Sequence, residues 1–211
     1  MKEPSPLGAG ADHWNTVHEA RPPEMLTWYQ PNPQNSLDLI GLAGLSASQR
    51  IVDVGGGSSL LCDRLIEIGY RDVTVIDVSA AAIAHVRSRI GPVAGPPTLV
   101  EGDIGGYRSE RNFDLWHDRA VFHFLTDAEE RRVYLDSLAA NLTERGHVVL
   151  ATFGLRGPDT CSGLPVRKYG PDDLEDALGD QFEPLAFREE AHTTPTGGTQ
   201  HFLYGLFRRS G

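Results

Sequence analysis

The sequence is poor in cysteine, in basic residues and in long apolar runs. Its two cysteines, Cys62 and Cys161, are too few for a disulfide scaffold and lack the spacing of a zinc site. Nineteen basic against 29 acidic residues give a net charge of −10, which disfavours nucleic acid and anionic membranes as partners. No run approaches the roughly eighteen apolar residues of a membrane span. The N-terminus lacks a targeting pattern. A cytoplasmic location is therefore predicted.

What the chain contains is an alternation of strand and helix signals from Arg50 onward. The strand runs are IVDV, VTVID, TLVEGD, FDLWH and HVVLATF. Nearly continuous apolar strands separated by helices predict a parallel α/β sheet covered on both faces. Thr126 with Glu129 predicts a capping box at the start of the helix before HVVLATF. The late runs FEPLAFREEAHTT and TQHFLYGLF, joined by PTGG, predict an antiparallel hairpin.

At 211 residues the chain is expected to form one domain. Residues 1–10 are rich in proline and glycine and are predicted to be disordered. Residues 11–45 carry helix signals around the aromatic loop RPPEMLTWYQPNPQ, and residues 50–153 carry the alternating pattern. Residues 154–211 contain a long loop, the short helix PDDLEDAL and the terminal hairpin.

The stretch IVDVGGGSS, residues 51–59, runs a buried strand straight into three glycines. Such a turn permits positive φ and lets a ligand approach the main chain, and the following helix N-terminus favours negative charge. Asp77 ends the next strand, where a carboxylate accepts hydrogen bonds from ribose hydroxyls. The turn is GGG followed by Ser58 and Ser59, so a pyrophosphate-binding dinucleotide fits poorly. The alternative is that Asp53 and Asp77 only cap helices in a protein that binds no nucleotide.

The order VDVGGG, VIDVS and EGDI resembles class I S-adenosylmethionine-dependent methyltransferases over roughly residues 50–153. The resemblance implies a Rossmann-like, doubly wound seven-stranded sheet, mostly parallel, with a C-terminal antiparallel hairpin. It implies S-adenosylmethionine as cofactor and S-adenosylhomocysteine as product. Along the three strand ends, the implied contacts to the amino acid, ribose and adenine of the cofactor are Asp53, Gly55, Gly56, Gly57, Asp77, Val78, Ser79, Asp103 and Ile104.

The run HDRAVFHFLTDAEERRVYLDSL, with TWYQPNP and RGPDTCSGLPVRKYG, is similar to thiopurine methyltransferases and related small-molecule thiol methyltransferases. This similarity covers about residues 12–180. It implies an N-terminal lid over the cofactor and favours S-methylation of a metabolite or natural-product thiol or dithiol. Some protein-lysine methyltransferases share the aspartate before the same helix. Lysine N-methylation, N- or O-methylation of a small metabolite, and a non-catalytic cofactor sensor therefore stay open.

The candidate catalytic residues, His117, Asp118 and Arg119, lie together at the end of FDLWH. A free thiol titrates near 8.5, so an electropositive contact suffices to produce a thiolate. Arg119 is the candidate for that contact; the alternative is an ion pair with Asp118 or Asp114. His117 is a candidate general base because imidazole titrates near neutrality, or else it lines the cofactor pocket.

Trp28 and Tyr29 are candidates to line the cofactor pocket, since aromatic faces attract a sulfonium cation. The alternative is that they anchor the N-terminal segment to the sheet. Candidate substrate contacts are Gln30, His123 and Cys161, although a reactive Cys161 would need electropositive neighbours and His123 is expected to be packed. No metal site is predicted. The expected partner is a small-molecule substrate, and the expected state is a monomer or homodimer.

Overall fold

The computed structural model describes residues 7–91 and 97–211. Its helices are α1 (Gly10–Ala20), α2 (Gln34–Leu42), α3 (Leu61–Glu67), α4 (Ala80–Ile90), α5 (Ala128–Asn141) and α6 (Pro171–Leu178). Its strands are β1 (Arg50–Val54), β2 (Asp72–Asp77), β3 (Thr98–Glu101), β4 (Phe113–Arg119), β5 (Leu142–Phe153), β6 (Thr160–Cys161), β7 (Leu164–Pro165), β8 (Phe182–Thr193) and β9 (Thr199–Arg209). Short 3₁₀ turns span Pro23–Met25 and Phe122–Phe124.

Seven strands form one sheet in the order β3-β2-β1-β4-β5-β9-β8, and β6 pairs with β7 in a small separate hairpin. Strands β1 to β5 run parallel, whereas β9 is antiparallel to β5 and β8 is antiparallel to β9. This arrangement confirms the predicted Rossmann-like sheet with its C-terminal antiparallel hairpin. The strand order reverses between β1 and β4, and ligands of such sheets bind beyond the carboxyl ends of the strands at this point.

Helices cover both faces of the sheet because its central strands are apolar on both sides. One apolar core joins the sheet to α2, α3 and α4, through residues such as Leu39, Leu65 and Val86. The other joins it to α5 and α6, through residues such as Tyr134 and Leu174. None of the helices in the described part of the chain is long and apolar enough to cross a membrane.

Two local predictions differ from the structure. Asp127, rather than Thr126, caps α5: its side chain accepts a hydrogen bond from the Glu129 N–H at 2.8 Å. Thr126 lies between the preceding 3₁₀ turn and α5, and its N–H donates to the Phe124 carbonyl. Of the predicted disordered segment, residues 1–6 lie outside the described residues, but residues 7–10 are ordered, and α1 already begins at Gly10.

Candidate active site

A cavity of about 110 Å³ opens at the carboxyl ends of β1, β2 and β4 and beside the residues that follow β3. Helix α1 and the loop after it close its other side. Of the predicted site residues, those that line it are Trp28, Gly55, Asp77, Val78, Asp103, Ile104, Arg119 and Cys161. Those that do not are Tyr29, Gln30, Asp53, Gly56, Gly57, Ser79, His117, Asp118 and His123.

The three glycines after β1 make room for the protein's own side chains. Gly55 has φ +62°, and a Cβ on it would overlap a methyl group of Val121. A Cβ on Gly56 would lie 2.5 Å from a carboxylate oxygen of Asp53, and one on Gly57 would lie 2.5 Å from Asp77 Oδ2. We predicted that a ligand requires these glycines. The structure shows that the nearest groups are the acidic side chains and Val121, and that only Gly55 lines the cavity.

Asp77 is a buried carboxyl group at the cavity wall. Its Oδ1 accepts a hydrogen bond from the Ser79 N–H at 2.8 Å. Burial raises the pKa of Asp77 to about 7, although backbone hydrogen bonds from Ser79 and Gly57 oppose that rise. Ser79 itself faces α1, because its hydroxyl donates to Asn15 Oδ1 at 2.8 Å and accepts from the Ala82 N–H. Asp77 is therefore the member of this pair that faces the cavity.

Asp103 holds the first described residues of the chain against the cavity. Its Oδ2 accepts from the Leu7 N–H at 2.6 Å, and its Oδ1 accepts from the Gly105 N–H at 2.8 Å. The carbonyl of Ile104 accepts a hydrogen bond from the hydroxyl of Ser137 at 2.5 Å, which fixes the loop after β3 to α5.

His117 lies beneath the glycine turn and away from the cavity. Its Nδ1 is 2.7 Å from Asp53 Oδ1, and its Nε2 is 2.9 Å from the Ser36 hydroxyl on α2. Both ring nitrogens thus have a protein partner, and the side chain is 2% exposed. This geometry opposes the general-base role of His117, and because His117 does not line the cavity it also opposes the alternative that the residue lines the cofactor pocket. The second carboxylate oxygen of Asp53 is buried and has no hydrogen-bond partner among the described residues.

Asp118 shapes the turn after β4. It accepts hydrogen bonds from the Val121 and Phe122 N–H groups and from the Tyr134 hydroxyl at 2.5 Å. Burial raises its pKa to about 6. These bonds hold the turn in which Ala120 has φ +72°, a rare conformation for a residue with a side chain. Asp118 is therefore a positioning residue for Ala120 and Val121, which line the cavity.

Arg119 brings a buried positive charge to the cavity. Its Nε donates to the Tyr204 hydroxyl at 2.8 Å and its Nη1 donates to the Trp28 carbonyl at 2.9 Å. The guanidinium carbon lies 4.3 Å from the centre of the Phe202 ring. Its Nη2 is 3.9 Å from Glu190 Oε2 and has no hydrogen-bond partner among the described residues. The Arg119 side chain is 10% exposed and lines the cavity.

The segment at residues 26–31, here named the covering segment, is tied to the terminal hairpin. Gln30 Nε2 donates to Glu190 Oε1 at 2.7 Å, and His192 Nε2 lies 2.9 Å from the Thr27 carbonyl. Glu190 also accepts from the Tyr204 hydroxyl at 2.5 Å. The covering segment, Arg119 and the hairpin therefore form one hydrogen-bonded wall.

Residues 51–146 match the profile of a protein family described as a methyltransferase domain. This match confirms the predicted enzyme class. Gly55, Asp77, Asp103 and Arg119 all lie within the matched residues.

Two solved structures resemble this chain over nearly its whole length. One, from work on the conversion of a disulfide bond into a thioacetal group during echinomycin biosynthesis, is 18% identical, with a TM-score of 0.73 over 95% of this chain and 91% of that chain. The other is Burkholderia thailandensis 1,6-didemethyltoxoflavin-N1-methyltransferase with bound 1,6-didemethyltoxoflavin and S-adenosylhomocysteine. It is 20% identical, with a TM-score of 0.71 over 95% of this chain and 86% of that chain. At these identities the likeness establishes the fold alone.

One curated relative is named for methylation of a protein. The eEF1A lysine and N-terminal methyltransferase of Bos taurus is 25% identical over 142 residues, which are 65% of this chain and 20% of that protein. The chain spans a fifth or less of the length of the curated relatives it matches.

Neither Cys161 nor His123 is activated for chemistry. Cys161 is buried, and burial raises the pKa of its thiol to about 11, so it is a protonated thiol at neutral pH. His123 is packed between Phe124 and Phe153, with ring centres 4.4 and 4.6 Å away. Burial lowers its pKa to about 3. No cluster of three or more histidine, cysteine or acidic residues suited to a metal occurs among the described residues.

Several cavity residues escaped the sequence analysis. Trp14 on α1 lies edge-on to Trp28 and Phe124, with ring centres 6.1 and 5.0 Å away. His18, also on α1, and Ser58 after the glycines line the same cavity. The only local signal was the placement of Trp14 and His18 four residues apart on a predicted helix, which puts both on one face. Tyr29 instead lines a second cavity beside His85 and Arg89.

Proposed function

We propose that this chain is an S-adenosylmethionine-dependent methyltransferase that acts on a small-molecule acceptor, with a metabolite or natural-product thiol or dithiol favoured. The observation that carries the proposal is the buried Arg119, which lines the same cavity as Asp77 and Asp103 and whose Nη2 has no hydrogen-bond partner among the described residues. S-adenosylmethionine would supply a methyl group on a sulfonium centre, and in-line attack of the acceptor on the methyl carbon would break the S–CH₃ bond and release S-adenosylhomocysteine.

The residues at the cavity suit this cofactor. Asp77 offers a carboxylate to the ribose hydroxyls, and Asp103 with Ile104 borders the adenine end. Trp14 and Trp28 offer aromatic surface, which attracts a sulfonium cation. Gly55 keeps the turn after β1 close to the ligand because no side chain projects there.

The charge of Arg119 favours an acceptor that reacts as an anion. A thiol with an ordinary pKa near 8.5 needs only modest electrostatic help to become a thiolate. An amine with an ordinary pKa near 10.4 has to lose its proton first, and its ammonium form is repelled by the guanidinium. A thiolate acceptor would not need a base. It would need placement about 3 to 3.5 Å from the methyl carbon, in line with the bond that breaks.

Among the described residues that line the cavity, no histidine is suited to act as that base. His18 is the histidine among the described lining residues, and burial lowers its pKa to about 4. Its Nδ1 is already 3.0 Å from the Ser58 hydroxyl. An acceptor that ionises beside Arg119 avoids this difficulty, which supports sulfur over nitrogen.

A protein lysine is the second candidate, favoured by the similarity to the eEF1A lysine and N-terminal methyltransferases. A protein acceptor would have to reach the cavity past α1 and the covering segment. The bonds from Gln30 to Glu190 and from Trp28 to Arg119 oppose that opening. A closed wall excludes bulky partners and water, which supports a small acceptor.

The test is production of S-adenosylhomocysteine by the purified protein with thiols, phenols, small amines and a cell protein extract. We expect product with thiols, and we expect Arg119→Met to remove most of it. The matched control is Arg208→Met, since Arg208 forms an exposed ion pair with Glu183 away from the cavity. Product with the extract alone would move the acceptor to protein, and cofactor binding without any product would support a sensor.

A further inference from the structure

Glu190 on β8 places a negative charge beside Arg119. Its Oε2 lies 3.9 Å from Arg119 Nη2, close enough for an ion pair but too far for a hydrogen bond. Arg188, two residues earlier on β8, is instead paired with Asp38 at 2.6 Å. Glu190 is not among the described residues that line the cavity. It therefore acts on a ligand from a distance, by offsetting the charge of Arg119.

Tyr204 holds the two charges apart. Its hydroxyl accepts from Arg119 Nε at 2.8 Å and donates to Glu190 Oε2 at 2.5 Å. Glu190 Oε1 accepts from the amide of Gln30 at 2.7 Å, and Arg119 Nη1 donates to the Trp28 carbonyl at 2.9 Å. Each side-chain hydrogen bond between these two charged groups and the described residues thus goes to a neutral group. The charge of Arg119 is offset only in part, whereas a direct bidentate pair would offset more of it.

The neighbouring titratable groups respond to both charges. Burial raises the pKa of Tyr204 to about 12, and Arg119 opposes that rise while Glu190 adds to it. Burial lowers the pKa of His192, and Arg119 lowers it further while Glu190 opposes the change. Burial lowers the pKa of His123 to about 3, and Arg119 adds to that shift. The electrostatic field around Arg119 is therefore the difference between two opposing charges.

Cys161 gives a measure of this field that requires no substrate. Its thiol lines the same cavity as Arg119. Burial raises the pKa of that thiol to about 11, and a hydrogen bond with Ser162 and the charge of Arg119 oppose the rise. The thiolate is the reactive form of cysteine, so the rate at which Cys161 is alkylated depends on the charge beside it.

We propose that Glu190 is a specificity-determining residue, which sets how acidic an acceptor has to be in order to ionise beside Arg119. This inference rests on the proposed function, because it takes a thiol as the acceptor. The acceptor loses its proton to water, and its anion then attacks the methyl carbon. The partly offset charge of Arg119 suffices for a thiol with an ordinary pKa near 8.5, but not for a phenol near 10. Without Glu190, Arg119 would ionise phenols as well.

The first test measures alkylation of Cys161 by iodoacetamide at pH 8, by mass spectrometry of the peptide that contains it. Glu190→Gln should raise the rate about three- to tenfold, because loss of the negative charge lowers the pKa of the thiol. Arg119→Met should lower the rate by a similar factor. A wall that merely opened would raise the rate in both variants.

Two control variants separate charge from access. Glu189→Gln removes an exposed charge that is paired with Arg156, and Gln30→Leu breaks the bond to Glu190 but keeps its charge. Neither should change the rate more than about twofold. In Glu190→Gln itself, the Gln30 amide can turn so that its oxygen accepts from the new N–H₂ group, which leaves the new carbonyl oxygen for the Tyr204 hydroxyl.

The second test compares 4-methylbenzenethiol with 4-methylphenol as acceptors, by production of S-adenosylhomocysteine at pH 7.5. The two differ in one atom, and the thiol is the stronger acid, so it is already ionised beside Arg119. Glu190→Gln should therefore raise the ratio of phenol to thiol product about three- to tenfold.

The outcomes separate this inference from the proposed function. An unchanged alkylation rate in Glu190→Gln, or an equal rise in Gln30→Leu, would overturn the effect of Glu190 on Arg119. An unchanged product ratio, or no phenol product in Glu190→Gln, would overturn its role in specificity. If no thiol gave product while the alkylation rates changed as expected, the proposed acceptor would be wrong, but the effect of Glu190 on Arg119 would stand.

Discussion

Replacing Asp77 with asparagine tests the cofactor site at its most distinctive residue. The ribose hydroxyls would donate to a carboxylate that burial has already stripped of most of its water. Hydrogen bonds to a charged group contribute about 1.5 to 3 kcal/mol, and asparagine also presents an N–H₂ group that cannot accept. A loss of about 2 to 3 kcal/mol corresponds to about 30- to 150-fold weaker binding of S-adenosylhomocysteine.

The pH dependence of binding provides a second test of the role of Asp77 at the ribose. Because burial raises the pKa of Asp77 to about 7, the free protein holds a neutral carboxyl group below that pH. Only the carboxylate accepts from both hydroxyls, so wild-type affinity should fall as pH decreases below about 7 and level off above it. The difference in affinity between wild type and Asp77→Asn should therefore increase with pH in the same range and level off above about 7. Calorimetry from pH 5.5 to pH 8.5 measures it.

The stability of the ligand-free protein should decrease with rising pH, whereas its affinity for S-adenosylhomocysteine should increase. The folded-state pKa of Asp77 lies above its ordinary value of 3.8, so the unfolded state loses this proton at lower pH than the folded state does. The free energy of unfolding therefore decreases as the pH rises from about 4 through about 7. Asp77→Asn removes that decrease, and its Tm should exceed the wild-type Tm at pH 8 but approach it near pH 4. Unchanged affinity in the variant, with a flat wild-type pH profile, would refute the role of Asp77 at the ribose.

Four further substitutions separate chemistry from structure. Arg119→Met should lower kcat with a thiol at least about tenfold while changing S-adenosylhomocysteine affinity less than about threefold, and an unchanged kcat would make Arg119 structural. Cys161→Ser should keep activity within about twofold, because a buried thiol with a raised pKa is not a nucleophile; complete loss of activity would contradict this. Gly55→Ala should destabilise the fold by about 1 to 3 kcal/mol, measured by denaturant unfolding, because φ is +62° and the new methyl group meets Val121. His117→Asn should lower Tm but leave the shape of the pH–rate profile unchanged, and loss of its acidic limb would restore the general-base role.

The sheet and the acidic strand ends could be predicted because their signals are local. Asp77 and Asp103 each follow an apolar run at the end of a strand, and parallel strands bring those ends to one edge. Their position at the cavity therefore followed from the strand order, which the run of βα units predicts. The choice of S-adenosylmethionine over other nucleotides came from the family resemblance.

The wall around Arg119 could not be predicted because its contacts are distant in sequence. Arg119 meets Tyr204, 85 residues away, and Gln30 meets Glu190, 160 residues away. No pattern of spacing indicates which face of a terminal hairpin carries Glu190 to that point. The partners of His117 could not be predicted for the same reason. The register of β1 against β4 places Asp53 beside it, and the packing of α2 places Ser36 beside it.

The glycine turn shows how a correct motif can have an incomplete explanation. The sequence indicated that side chains were absent because a ligand approaches. In the structure the carboxylates of Asp53 and Asp77 occupy the space beside Gly56 and Gly57. The turn serves the ligand indirectly, because it lets the acidic side chains at the strand ends pack against the main chain.

The most direct test of the central claim is the position of the transferred methyl group. An aromatic aminothiol such as 2-aminothiophenol offers sulfur and nitrogen on one ring, and its ring suits the aromatic lining of Trp14, Trp28 and Phe124. With ¹³C-methyl S-adenosylmethionine, NMR of the product distinguishes an S-methyl from an N-methyl carbon. The account predicts the S-methyl product together with S-adenosylhomocysteine. An N-methyl product, or methylation of protein alone, would contradict it.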